Sequence, residues 1–80
     1  MIKLNNGEMV EVDNDDKKYV LAKLLVEAMD DLGRPLNFGD TKTYPRMPAE
    51  MNAYAVAFGS LDKACKEARY FVKNYKKRIF

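Results

Sequence analysis

Apolar and polar residues alternate in two short runs at the start of the chain. The runs cover residues 2–4 and 10–12, and Asn5-Asn6-Gly7 lies between them. A three-residue loop with its glycine at positive φ sets Ile2 opposite Val10, and the apolar side chains of both runs then share one face. This pattern predicts a β-hairpin over residues 1–13. The hairpin must pack on helices, because two strands alone are not stable.

The next segment, residues 14–33, carries apolar residues at helical spacing. An Asx side chain among Asp13-Asn14-Asp15-Asp16 is expected to cap the first helix, and Gly33 followed by Pro35 is expected to end it. We therefore predict a helix from about Asp15 to Leu32. The residues of its apolar stripe are Leu21, Leu24, Leu25, Ala28 and Leu32.

The stretch from residue 34 to residue 48 is the least regular part of the pattern. Pro35 suits the first turn of a short helix near residues 36–42, and Tyr44-Pro45 favours an extended link after it. Pro48 is expected to open a second helix over about 49–58. The predicted apolar face of this helix consists of Met51, Tyr54, Ala55 and Phe58.

Gly59-Ser60 interrupts a helical pattern for only two residues. Gly59 can close one helix in a left-handed conformation, and Ser60 can cap the next by accepting from a backbone amide. The last helix is predicted from about residue 61 to 77, within a basic segment 61–78. Its apolar face consists of Leu61, Ala64, Cys65, Ala68, Val72, Tyr75 and Ile79, and Lys63, Lys66, Tyr70, Lys73 and Lys77 lie nearly opposite. Cys65 is interpreted as a small core residue.

These elements define one small domain, residues 1–80, that is mainly α within the α+β class. The sequence has one cysteine and no histidine, and it has no apolar run long enough for a membrane span. A lone cysteine and the lack of an apolar leader favour the cytoplasm. We expect no enzyme, no catalytic residue, no metal and no cofactor, because no nucleophile–base pair or ligand cluster is recognisable.

The net charge of +2 is unevenly distributed along the chain. Residues 1–59 hold seven basic and ten acidic residues, a balance of −3, whereas residues 60–80 hold seven basic and two acidic residues, a balance of +5. Such asymmetry indicates a basic face that could meet an anionic partner. The alternative is a solvated helix whose lysines serve solubility.

Several of these features occur together in one known family. Leu32-Gly33-Arg34-Pro35, Asp40, Pro48 and Phe58-Gly59-Ser60-Leu61, with Ala64 and Ala68, resemble the homing-endonuclease-associated repeat over residues 32–68, within a repeat-like region 34–68. The resemblance implies a helix-turn-helix-like DNA-binding module without catalytic residues. The usual basic residues before the Phe are replaced by Val56 and Ala57, and the usual Trp by Leu61.

Binding of DNA assigns roles to nine residues. Asn52 is the side chain of the second helix suited to a bidentate adenine contact. Turn residues and last-helix residues would bind phosphates. The turn set is Arg34, Lys42 and Arg46, and the helix set is Lys63, Lys66, Arg69, Lys73 and Lys77. Alternatively, Asn52 is an ordinary exposed residue, and Arg34 and Arg46 pair with Asp30, Asp31 or Asp40.

A second hypothesis is a small protein-binding regulator or inhibitor, from a mobile element or phage. Its acidic residues, Asp13 to Asp16 with Glu27, Asp30 and Asp31, could dock on a basic surface, and the neutral Val56-Ala57 face also favours a protein partner. Formation of a homodimer belongs to the same hypothesis, because small helical domains often gain core by pairing.

Overall fold

The computed structural model describes residues 1–50 and 52–75. Two strands, β1 (Ile2–Lys3) and β2 (Met9–Val10), precede four helices within these residues. The helices are α1 (Lys17–Leu32), α2 (Phe38–Thr43), α3 (Ala53–Phe58) and α4 (Leu61–Asn74). The predicted mainly α architecture with an N-terminal hairpin is thereby confirmed. The predicted roles of Met51, Lys77 and Ile79 fall on residues outside the described ranges.

The hairpin has the predicted register. Ile2 pairs with Val10 across the antiparallel strands, and the amide of Leu4 donates to the carbonyl of Glu8 at 2.8 Å. Gly7 has a φ of 91°, in the region that favours glycine, so a three-residue loop can close here without strain. Ile2 and Leu4 are buried, and Val10 and Val12 pack against the same core.

The first helix begins differently from the prediction. A 3₁₀ turn over Asn14–Asp16 leads into α1, and neither Asp13 nor Asp16 caps it with a side-chain hydrogen bond. The expected Asx cap is therefore wrong: the backbone amide of Asp16 bonds to the carbonyl of Asp13, and the turn is closed by the main chain. The end is as predicted, since Gly33 is left-handed with φ 73° and donates to the carbonyl of Met29.

The apolar stripe of α1 is buried except at its last residue. Leu21, Leu25 and Ala28 lie in the core, whereas Leu32 keeps 37% of its surface exposed. Met29 and Leu36 are both buried and close the core at this end. Leu32, the last residue of the predicted stripe, is therefore not buried with the others.

The short helix α2 starts two residues later than predicted. Asn37 caps it through a capping box, in which its side chain accepts from the amide of Asp40 and the Asp40 carboxylate accepts from the amide of Asn37. Pro35 therefore precedes the cap and does not lie in the first turn. Tyr44 then has extended backbone, as expected for the link that follows.

The helix α3 is shorter than the predicted segment 49–58. Pro48 forms a bridge with Leu4, and the amide of Ala49 donates to the carbonyl of Lys3 at 2.7 Å. These bonds hold residues 47–49 extended along β1, so the helix cannot begin at Pro48. Within α3, Tyr54 and Phe58 are buried as predicted, but Ala55 is exposed and Ala53 takes the inward position.

The corner between α3 and α4 has the predicted construction. Gly59 has a φ of 100°, and its amide donates to the carbonyl of Ala55. The Ser60 hydroxyl accepts from the amide of Lys63 at 3.0 Å and caps α4. A chain that must end one helix and start another within two residues requires these two conformations in succession.

The core lies where α4 packs on α1 and α3. Ala64 and Ala68 are fully buried, and their small side chains allow the helices to approach closely. Phe58 and Phe71 meet edge to face at 5.9 Å between ring centroids, and the Tyr19 and Tyr75 rings stack at 4.3 Å. The Tyr54 hydroxyl donates to the carbonyl of Leu21 at 2.7 Å, and burial raises the pKa of Tyr54. This packing directs the opposite side of α4 to solvent.

Candidate nucleic-acid interface

The outward side of α4 carries three exposed lysines on one helix. Lys63, Lys66, Tyr70 and Lys73 are all exposed there. At 100° per residue they fall within about 80° of one another around the helix axis. We call these four residues the lysine face. The inward residues of α4 are small or apolar, which is why the long cationic side chains lie on one side.

The lysines of this face share α4 with two exposed carboxylates, Asp62 and Glu67, and in the described part of the chain only Lys66 lies within 4.0 Å of one. Lys66 lies 3.3 Å from Asp62, one turn earlier, and both side chains are more than 70% exposed. Such a solvated pair contributes little and can be exchanged for a phosphate contact. Among residues 1–50 and 52–75, no carboxylate oxygen lies within 4.0 Å of the ammonium groups of Lys63 or Lys73. The aliphatic chain of Lys63 passes beside Gly59, which places this lysine at the α3–α4 corner.

Arg69 also lies on α4, but it has an intramolecular partner. Its guanidinium donates to the Asp30 carboxylate at 2.7 Å, and this hydrogen bond raises the pKa of Arg69. Asp30 lies in the last turn of α1, where the helix dipole disfavours an acidic residue. The arginine offsets that charge, so Arg69 joins α4 to the end of α1.

Arg34 has the partner that the alternative hypothesis named. Its guanidinium binds both carboxylate oxygens of Asp40, at 2.6 and 3.2 Å, and it also donates to the carbonyl of Pro35. The Arg34 hydrogen bond, followed by that from the Asn37 amide, lowers the pKa of Asp40 to about 2. Asp40 thus takes part both in a bidentate ion pair with Arg34 and in the capping box with Asn37, and these contacts hold the start of α2 in place.

Arg46 and Lys42 are likewise engaged within the fold. Arg46 lies 3.5 Å from Glu8 and 3.9 Å from Glu27, so it pairs with carboxylates other than the three aspartates named from the sequence. The Lys42 ammonium lies 4.6 Å from the centroid of the Phe38 ring. Both side chains are exposed, and a phosphate would have to compete with these contacts.

Asn52 occupies the cap position of α3 and not its interior. Its side chain is exposed and makes no capping hydrogen bond. The adenine contact predicted for Asn52 assumed that this residue lies within a helix that enters a groove. Because α3 begins only at Ala53, Asn52 does not have that position. The exposed surface of α3 is instead neutral, with Ala55 and Val56 on it. Lys77 lies outside the described ranges.

The acidic residues of the second hypothesis are mostly used inside the molecule. Asp30 binds Arg69, Glu27 lies near Arg46, and Asp31 accepts from the Tyr44 hydroxyl at 2.9 Å. The Asp16 carboxylate likewise accepts a hydrogen bond, from the Tyr75 hydroxyl. These contacts reduce the acidic surface that could dock on a basic partner.

Other kinds of site find little support in the described part of the chain. Residues 1–50 and 52–75 contain no group of three His, Cys, Asp or Glu side chains arranged to hold a metal ion. Cys65 is half-buried, its thiol donates to the carbonyl of Leu36, and burial raises its pKa. The helices described are all too short or too polar to cross a membrane.

Comparisons with protein-family models, with curated proteins and with solved structures found no match to this chain. The resemblance to the homing-endonuclease-associated repeat accordingly rests on the residues quoted for it.

Tyr70 lies on the lysine face, but it was not among the nine residues to which DNA binding assigned a role. Its spacing of four residues from Lys66 and three from Lys73 is the signal that places it on the same face.

Proposed function

We propose that this protein is a non-enzymatic, helix-turn-helix-like module that binds DNA through the lysine face of α4. The observation that carries the proposal is the exposure of Lys63, Lys66 and Lys73 on one side of a single helix, with little competition from carboxylates. Ammonium groups in such a row bind phosphates and release counterions, which gives affinity without sequence preference. A cytoplasmic location fits this function and stays a prediction.

The proposal differs from the sequence-based hypothesis in what the other cations do. Arg34, Arg46 and Arg69 pair with carboxylates, so a phosphate would have to displace these partners and their role in binding is secondary. Asn52 does not lie within a helix that could enter a groove. Binding would therefore depend mainly on charge, and discrimination between base sequences would be weak.

The salt dependence of affinity tests the proposal directly. Fluorescence anisotropy with labelled random-sequence DNA, both as a duplex and as the matching single strand, would be measured at about 50 and 200 mM salt. Three phosphate contacts correspond to a loss of about 40-fold in affinity across this range, and six contacts to about a thousandfold. No binding at the lower salt concentration would refute the proposal.

Charge reversal locates the binding surface. Lys66→Glu with Lys73→Glu should abolish binding and leave the melting temperature unchanged, because both side chains are exposed and opposite the core. Lys3→Glu with Lys23→Glu is the matched control, since it changes the net charge equally at exposed positions outside α4. Equal losses in the two double variants would mean that only net charge matters, and that α4 is not the site.

The second candidate, a protein-binding regulator or inhibitor, is favoured by one observation. Val56 is 80% exposed on α3 and Ala55 beside it is exposed, which leaves a neutral surface suited to a protein partner or a second copy. Sedimentation equilibrium would measure self-association of the wild type and of Val56→Lys. A homodimer through α3 predicts that the substitution shifts the wild-type dimer to monomer, whereas a monomeric wild type excludes it.

A further inference from the structure

Tyr70 is an exposed aromatic residue in the middle of the lysine face. It retains 72% of its surface, whereas tyrosine is on average a residue of intermediate burial. Lys66 lies one turn before it and Lys73 one turn after it, and Lys63 lies two turns before. The ring therefore has a cation on either side along the helix axis.

The described part of the chain does not use this ring. Within residues 1–50 and 52–75, the Tyr70 ring and hydroxyl make no hydrogen bond, ion pair or ring contact, and only its backbone carbonyl accepts, from Asn74. The other tyrosines are engaged: Tyr44 and Tyr54 donate hydrogen bonds, and Tyr19 stacks on Tyr75. Replacement of Tyr70 should therefore leave stability nearly unchanged.

The neighbouring residue shows that the aromatic pair is divided between core and surface. Phe71 packs against Phe58, and the Lys18 ammonium lies 5.1 Å from its ring centroid. Of these two neighbouring rings only Phe71 packs against the core, so the outward ring of Tyr70 adds an aromatic group to the exposed surface of α4. An aromatic face beside ammonium groups matches the two components of an unpaired nucleotide, its base and its phosphate.

We infer that the lysine face binds single-stranded DNA, with Tyr70 stacked on an unpaired base and the lysines on the adjacent phosphates. The inference rests on the proposed function and names its ligand more closely. In a duplex both faces of each base are covered by neighbouring base pairs, so a ring on the convex surface of a helix has no base face to meet. A single strand exposes its bases, and stacking on an aromatic residue tolerates every base.

Three variants of Tyr70 separate stacking from simple apolar contact. Tyr70→Phe keeps the ring, Tyr70→Leu keeps an apolar side chain without it, and Tyr70→Ala removes both. Stacking of one base corresponds to a loss of about fivefold to 160-fold in affinity. Tyr70→Leu and Tyr70→Ala should both show this loss of affinity for a single strand, whereas Tyr70→Phe should bind it as the wild type does. None of them should change the salt dependence, because none removes a lysine that would contact a phosphate.

The ligand supplies a matched control. The anisotropy measurement would compare a single strand, the same strand with abasic sites, its duplex and the corresponding RNA strand, with melting curves for every variant. We expect the abasic strand to bind the wild type as weakly as the intact strand binds Tyr70→Ala. The stacking inference would be overturned if Tyr70→Leu bound the single strand as tightly as the wild type does. It would also be overturned if the Tyr70 variants lost equal affinity for the duplex and for the single strand. Tighter binding of the RNA strand would overturn the assignment to DNA.

These outcomes separate the inference from the proposed function. If the wild type binds no nucleic acid at low salt, both are wrong. If the wild type binds with strong salt dependence but Tyr70→Ala binds equally well, the lysine face remains the site and only the role of Tyr70 is wrong.

Discussion

Asn5 links the hairpin loop to the end of α2, and its replacement offers a sharp test of the fold. Its side-chain amide donates to the carbonyls of Thr41 and Tyr44, at 2.8 Å each. Both carbonyls lie at the C-terminal end of α2, where a helix runs out of backbone donors. The nitrogen must face them, because an amide oxygen would meet two other acceptors.

The expected cost follows from these two bonds. A hydrogen bond contributes about 0.5–1.5 kcal/mol net, so Asn5→Ala should lower the free energy of unfolding by about 1–3 kcal/mol. Asn5→Asp has nearly the same shape but presents a carboxylate to two carbonyl oxygens. It should therefore cost more than alanine at neutral pH. For a domain of this size, each kcal/mol corresponds to about 4–8 °C in Tm.

The adjacent residue is the control. The Asn6 side-chain oxygen accepts from the amide of Glu8 at 2.8 Å, and a carboxylate can accept equally well. Asn6→Asp should therefore stay within about 0.5 kcal/mol of the wild type. Urea denaturation followed by circular dichroism would measure all three variants at neutral pH. An Asn5→Asp variant more stable than Asn5→Ala would refute the donor role of the amide.

Three further predictions concern the helix ends. Ser60→Ala should lower the free energy of unfolding by about 1 kcal/mol through loss of the α4 cap, whereas Ser60→Asp should retain the cap. Equal urea midpoints for Ser60→Ala and the wild type would exclude the cap. Gly59→Ala should cost about 1 kcal/mol or more in the same assay, because φ is 100°, although an added Cβ would make only an ordinary contact with Lys63; an unchanged midpoint would exclude a strained backbone. The folded pKa of Asp40, about 2, lies below its unfolded value. Its stabilising effect should therefore be complete above about pH 4 and lost as the pH falls toward 2. The stability difference between wild type and Asp40→Asn, from urea curves at several pH values, should shrink over that interval; a constant difference would contradict this.

Most of the correct sequence-based predictions concern residues close together in the chain. The register of the hairpin, the left-handed end of α1 at Gly33 and the Gly59-Ser60 corner each depend on the φ value or hydrogen bonds of a few adjacent residues. The inward face of α4 followed from helical spacing, which also placed the lysines outside. These features could be predicted because the steric and hydrogen-bonding rules that produce them act locally.

The errors arose where distant segments meet. The prediction that Pro48 starts a helix is wrong, because Pro48 pairs with Leu4, forty-four positions earlier in the chain. The partner of Arg69 is likewise distant in the chain, since its guanidinium binds Asp30 across the interface between α4 and α1; the predicted phosphate contact of Arg69 stays a prediction. Nothing in the spacing of either residue indicates such a partner, and only the packing of the elements brings the groups together.

The linear order of residues thus decided the class of elements, the turn chemistry and the side of α4 that carries charge, because each follows from neighbours along the chain. Tertiary packing decided which cations have carboxylate partners and which remain exposed. A cation can satisfy its charge on any carboxylate that the fold brings near, whatever its position in the sequence. Within residues 1–50 and 52–75 the basic surface therefore centres on three lysines and Tyr70, whereas Arg34 and Arg69 bind carboxylates of the same chain.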